Sequence, residues 1–117
     1  MTSRRMFDTL AVLAAIAITI GSLTPLPQLP DVPSNDKIMH LVAYGVLAFL
    51  ASFHRRSLIS IFFIVVAVSA FGGMIELIQP FANRFMSLGD TFANILGACL
   101  GASAAVMVRR YFTNENG

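Results

Sequence analysis

Hydrophilic side chains that could do chemistry recur at helical spacing inside otherwise apolar stretches of this sequence. Three acids and one histidine could move protons, two basic side chains could hold an anionic group, and a phenol and two amides could orient a ligand. Within each predicted helix these side chains recur at steps of three and four, which places them on one face of that helix. The nine residues are Asp36, Lys37, His40, Tyr44, Glu76, Gln79, Arg84, Asp90 and Asn94.

The nine residues divide into two roles. A histidine and two acids are the candidate catalytic residues, with a general base among them: His40, Glu76 and Asp90. The remaining six are candidate ligand-binding residues, in which the two basic side chains would hold an anionic head group: Asp36, Lys37, Tyr44, Gln79, Arg84 and Asn94. Acids and the histidine could also ligate a divalent ion, but no two-histidine helix motif is present. We therefore assign no metal ligand, and the sequence names no cofactor.

The 117-residue chain around these side chains has the composition of a membrane protein. Hydrophobic residues make up 56% and charged residues only 12%, against roughly a quarter charged in soluble domains. The mean hydropathy is +0.76. The single cysteine, Cys99, excludes an internal disulfide, and a net charge of +2 is too small to indicate a nucleic-acid partner.

Four apolar blocks predict an all-α fold, a single-domain four-helix transmembrane bundle over residues 1–117. A helical span needs about 20 mostly apolar residues, and it must satisfy its backbone hydrogen bonds internally. Pro80 should end the third helix just after Gln79, and Ser87 should cap the fourth. The predicted spans are residues 8–23, 38–53, 58–79 and 88–108.

Cationic residues predict the orientation of this bundle. Three arginine pairs hold six of the eight Lys and Arg residues, and a four-span chain places all three pairs on one side. The positive-inside rule makes that side cytoplasmic, so both termini lie inside. The pairs are Arg4-Arg5, Arg55-Arg56 and Arg109-Arg110. An alternative is that the first block is a signal peptide, whose cleavage would leave three spans.

The chemistry-bearing residues should gather near the outer end of the bundle. Glu76 comes 18 residues after Leu58, roughly 27 Å along a helix, which places it near the outer boundary. An ionisable side chain at such a depth indicates a functional site, because burying a charge there is costly. The alternative is a hydrogen-bonded clasp that fixes the helix order, with Glu76 paired to Lys37 or Arg84 and His40 paired to Asp90.

Small residues in the fourth block predict close helix packing. Gly97 and Gly101 form a small-xxx-small face that lets two backbones approach, and a homodimer could form through it. Cys99 lies between them and is expected to be buried and inert.

The order and spacing of the polar residues resemble the VanZ-like family of small bacterial membrane proteins, named for a protein associated with teicoplanin resistance. The resemblance covers about Ser34 to Gly101. It implies a place in the cell envelope and a set of shared polar positions, without a settled reaction. The matching pattern is Asp36-Lys37-x-x-His40-x-x-x-Tyr44, then Glu76-x-x-Gln79, then Arg84-x-x-Ser87-x-x-Asp90-x-x-x-Asn94-x-x-Gly97.

We expect a multipass protein of the bacterial cytoplasmic (inner) membrane with its site facing the periplasm or cell exterior. The site would bind or process an amphiphilic anionic envelope molecule, either a membrane lipid or a lipid-linked precursor. Resistance to a glycopeptide is implied by the resemblance alone. The alternative is a non-catalytic protein that binds an antibiotic, a lipid or a partner protein. A transporter is the third hypothesis, because the four short helices show no inverted repeat.

Overall fold

The computed structural model describes residues 2–24, 36–82 and 88–116, and within them the chain forms four α-helices, a short 3-10 helix and no strand. The predicted all-α, four-helix fold is confirmed. The 3-10 helix, Gln79–Ala82, directly continues the third α-helix. The α-helices are α1 (Ser3–Leu23), α2 (Asp36–Ser52), α3 (Leu58–Ile78) and α4 (Leu88–Asn116).

Three of these helices are long and apolar enough to cross a membrane: α1, α3 with its 3-10 extension, and α4. Helix α2 is apolar but has only 17 residues, about 25 Å at 1.5 Å per residue, against a hydrocarbon core of about 30 Å. The chain therefore has the character of a membrane protein. The four-span topology with both termini inside stays a prediction.

The helix ends follow local sequence signals in two places and differ from the prediction in a third. Ser57 caps α3 by accepting the backbone N–H of Ser60 at 3.3 Å. Pro80 has no N–H to donate, and the α-helix ends at Ile78, directly before the 3-10 helix that contains Pro80. Helix α4 continues well beyond residue 108, where its predicted span ended. The predicted cap Ser87 lies outside the described residues.

The closest approach between helices lies along the α2–α4 seam. A Cβ atom added to Gly97 would overlap the carbonyl of Leu41, and one added to Gly101 would overlap the carbonyl of Gly45. The predicted small-residue face therefore brings α4 against α2 of the same chain, backbone to backbone. A homodimer through this face stays a prediction.

Cys99 is exposed, so the expectation that it is buried was wrong. Adjacent α-helical residues are turned by about 100°, and Cys99 is two residues from both Gly97 and Gly101. The two glycines face α2, so Cys99 lies on the opposite side of α4. The spacing that predicts the packing face also determines this exposure.

One end of the bundle collects the start of α1, the α2–α3 turn and the end of α4. Ser3 Oγ lies 3.1 Å from His54 Nε2, and the rings of Phe7 and Phe53 meet edge to face at 4.7 Å between centroids. Arg109 donates to the carbonyls of Phe53, at 3.4 Å, and Arg55. These contacts place the three segments that carry the arginine pairs at the same end of the bundle. This placement is required if the three pairs lie on one side of a membrane.

Candidate functional site

Three side chains from three different helices converge at the other end of the bundle. His40 of α2, Glu76 of α3 and Asp90 of α4 each offer a nitrogen or oxygen atom, and these atoms all lie within 4.8 Å of one another. Glu76 is only 2% exposed and Asp90 is also buried. The structure thus brings the three candidate catalytic residues together, while their catalytic roles stay a prediction.

The imidazole of His40 contacts two residues on one face of α4, one with each ring nitrogen. Nδ1 lies 3.0 Å from Oδ1 of Asn94, and Nε2 lies 3.7 Å from Oδ2 of Asp90. Because an amide oxygen can only accept, Nδ1 is the donor in the first contact. This fixes the ring orientation and directs Nε2 toward the carboxylates.

Asp90 lies between a basic side chain and the histidine. Its Oδ1 is 3.5 Å from Nζ of Lys37, whereas its Oδ2 faces His40. The Lys37 side chain is 64% exposed and that of Asp90 only 13%, so the lysine lies at the rim and the carboxylate below it. The clasp hypothesis offered Lys37 or Arg84 as the partner of Glu76 and His40 as the partner of Asp90. The structure places both Lys37 and His40 beside Asp90.

Tyr44 forms the inner wall of the cluster, one turn below His40. The two rings are nearly parallel, with 6.3 Å between centroids and 5° between planes. A Cβ atom on Gly72 of α3 would lie 3.0 Å from Tyr44 Cε1 and 2.9 Å from Asn94 Nδ2. Gly72 therefore lets α3 approach both residues. Gly72 lies one turn before Glu76, so the sequence itself places a small residue on the face of α3 that carries Glu76.

Two buried hydrogen-bonding groups beside the cluster have no partner among residues 2–24, 36–82 and 88–116. These are the hydroxyl of Tyr44 and the amide nitrogen of Asn94, and both side chains are almost completely buried. Buried polar groups in folded proteins are nearly always hydrogen-bonded. Both groups can donate a hydrogen bond, so they can bind an oxygen atom of a ligand.

Gln79 is buried but serves a different contact. Its Nε2 donates to the carbonyl of Ser22 at 3.2 Å and so joins the end of α3 to the last turn of α1. The last carbonyls of an α-helix lack internal donors, which explains why a side-chain amide is used there. This contact leaves no signal in the sequence, because the acceptor is a backbone atom.

Besides Gln79, two of the nine predicted site residues are not placed in the cluster. Arg84 lies outside the described residues. Asp36 is the first residue of α2, and its side chain is not described. The ligand-binding roles of both, and that of Gln79, stay predictions.

Comparison with known proteins identifies no relative of this chain. No protein-family model, no curated protein and no solved structure matches the chain. The resemblance to the VanZ-like family therefore rests on the order and spacing of the polar residues.

Proposed function

We propose that this chain is a VanZ-like protein of the bacterial cytoplasmic membrane whose polar cluster binds or processes an amphiphilic anionic envelope molecule. The observation that carries the proposal is the convergence of His40, Glu76 and Asp90 from three helices to within 4.8 Å. Ionisable groups inside an apolar bundle are costly, and they are typical of ligand or proton sites in membrane proteins.

The surroundings of the cluster suit a ligand with a polar head and an apolar tail. Lys37 places an exposed ammonium group at the rim, where it can meet an anionic head group. Large apolar side chains are exposed around the same helix ends, and a hydrocarbon tail could lie along them. They include Ile38, Met39, Leu77, Leu88 and Phe92.

Lys37 and the polar cluster lie at the end of the bundle away from the contacts made by Ser3, His54 and Arg109. If the positive-inside rule applies, the arginine-rich end is cytoplasmic and the cluster faces the periplasm or cell exterior. A ligand would then enter from the outer leaflet.

A reaction at this site would use His40 as the general base. Its Nδ1 is engaged with Asn94, and its Nε2 is directed into the cluster, where it can accept a proton from a bound ligand or water. Tyr44 and the amide of Asn94 supply donors for orienting a ligand oxygen. The second candidate is a non-catalytic binder that uses the same contacts without a bond being broken.

Retention of lipid by the full-length protein tests the proposal. We expect native mass spectrometry of protein extracted in mild detergent to show a bound anionic lipid, and phosphatidylglycerol to bind in phosphatidylcholine nanodiscs. Lys37→Gln should weaken phosphatidylglycerol binding roughly fivefold, matching the about 1 kcal/mol that one basic residue contributes near an anionic surface. Ser69→Ala, on the same helix as Glu76 but two turns away, is the matched control.

The variant Glu76→Gln separates the two candidates. An enzyme should keep its lipid affinity and lose turnover of the co-purified molecule, whereas a binder should lose affinity or show no change. Equal phosphatidylglycerol binding by wild type, Lys37→Gln and Asp90→Asn would contradict the proposal.

A further inference from the structure

We infer that His40, Glu76 and Asp90 bind a divalent transition-metal ion of the Zn²⁺ or Mn²⁺ class. The inference deepens the proposed function, since the ion would supply the positive charge that holds an anionic head group in a cluster with two carboxylates. Ligand atoms on one tetrahedral ion lie roughly 3.3–3.6 Å apart, given bonds of about 2.0–2.2 Å. The three atoms here lie within 4.8 Å of one another, so closure by about an ångström would complete the set.

The orientation of His40 matches that of a metal ligand. A ligating histidine usually donates its second ring N–H to an oxygen acceptor, which fixes the tautomer and aims the other nitrogen at the ion. His40 donates from Nδ1 to Asn94 at 3.0 Å, which leaves Nε2 facing Oδ2 of Asp90 at 3.7 Å. A direct N–H to O hydrogen bond would be about 2.7–3.2 Å.

Lys37 does not occupy the position of the ion. It contacts Oδ1 of Asp90, on the rim side, and leaves Oδ2 on the side of His40. A divalent ion between His40, Glu76 and Asp90 would bring positive charge to both carboxylates without displacing Lys37.

Independent support comes from the buried donors beside the three ligands. The hydroxyl of Tyr44 and Nδ2 of Asn94 are almost fully enclosed and have no partner in the described part of the chain. Three protein ligands leave at least one coordination position for water or substrate, and these donors could hydrogen-bond an oxygen there. One nitrogen and two carboxylate ligands favour Zn²⁺ or Mn²⁺ over Ca²⁺ and Mg²⁺, which take oxygen ligands.

Titration of the full-length protein with Mn²⁺ tests the inference. The protein is stripped with a chelator, placed in phosphatidylcholine nanodiscs and followed by electron paramagnetic resonance, with Zn²⁺ as competitor. We expect one Mn²⁺ per chain, displaced by Zn²⁺, with electron spin-echo modulation from an imidazole nitrogen that is absent in His40→Ala. Asp90→Asn and Glu76→Gln should each weaken binding by at least about tenfold.

The variant Lys37→Gln separates binding of the ion from binding of the lipid. Removing this positive charge should leave or strengthen Mn²⁺ binding, while it weakens phosphatidylglycerol binding. Ser69→Ala should change neither. Stoichiometry near zero in wild type, or imidazole modulation that survives in His40→Ala, would overturn the cation site. The wild-type stoichiometry is measured without any variant, so a variant that fails to fold does not block this test.

The lipid measurement repeated with and without Mn²⁺ keeps the two proposals separable. Tighter phosphatidylglycerol binding with Mn²⁺ supports both. Mn²⁺ binding without any phosphatidylglycerol binding retains the cation site and removes the proposed function. Phosphatidylglycerol affinity that is the same in chelator and in Mn²⁺ would contradict the proposal that the ion holds the head group.

Discussion

Asn94 accepts a 3.0 Å hydrogen bond from Nδ1 of His40 and so joins the fourth helix to the second. One turn earlier on α4, Asp90 faces the other ring nitrogen. The imidazole is therefore held from both sides by the same helix face. This pairing determines which atom of His40 faces the carboxylates, and it is the basis of the first prediction.

The stabilities of His40→Ala and Asn94→Ala should be non-additive. Residues that share a hydrogen bond show coupling energies of about 0.5–3 kcal/mol, and we expect a value in that range from the double-mutant cycle. Unfolding in detergent mixtures measures the four free energies. The pair His40→Ala and Ser69→Ala is the control and should be additive; additivity in the His40 and Asn94 cycle as well would show that the hydrogen bond is not formed.

Gly101→Ala should destabilise the protein, because the added Cβ overlaps the Gly45 carbonyl across the α2–α4 seam. Overpacking of a tight contact costs about 1–3 kcal/mol, and here the obstacle is backbone. Gly73→Ala is the matched control: nothing lies within 4 Å of its added Cβ, and it should be neutral or stabilising by up to about 1 kcal/mol. Thermal unfolding in detergent compares them, and equal midpoints would contradict the helix seam.

Arg109→Ala should loosen the turn between α2 and α3. The guanidinium donates to the carbonyls of Phe53 and Arg55, and hydrogen bonds to charged groups contribute about 1.5–3 kcal/mol. Faster protease cleavage within residues 53–57 is the expected readout. Arg110→Ala removes the exposed neighbour and should leave cleavage unchanged, so similar cleavage in both variants would argue against the contact.

The orientation prediction is tested by labelling single cysteines on a Cys99→Ser background. Phe81→Cys marks the end that carries the polar cluster, where the native side chain is 89% exposed, and Ser57→Cys marks the arginine-rich end. A membrane-impermeant maleimide added to intact cells should label position 81 and spare position 57. The reverse pattern would turn the site toward the cytoplasm.

The features that sequence analysis predicted correctly are local ones. Apolar length predicts the helices, Pro80 predicts where α3 stops, and the Gly97 and Gly101 spacing predicts a close helix contact. Each depends on residues within a few positions of one another, so each can be read without knowing the fold.

The features that it missed depend on which surfaces meet. Gln79 donates to the Ser22 carbonyl, and Arg109 donates to the carbonyls of the α2–α3 turn. Backbone acceptors leave no signal in residue type, so neither contact could be predicted. The convergence of His40 and Glu76 was predicted from their depth along the helices. The pairing of Lys37 with Asp90 could not be predicted, because it depends on how α4 is rotated about its own axis.

The distance between His40 and Glu76 in a lipid bilayer tests the central claim most directly. The chain has two histidines and two glutamates, so ¹⁵N-labelled histidine and carboxyl-¹³C glutamate in a Glu115→Gln background leave Glu76 as the labelled carboxyl group. Solid-state dipolar recoupling should show a ring nitrogen of His40 close to that carboxyl group, with a ring nitrogen and a carboxylate oxygen within 4.8 Å. His40→Ala should abolish the signal. Absence of dephasing in the protein that retains His40 would mean that α2 and α3 do not share a polar site.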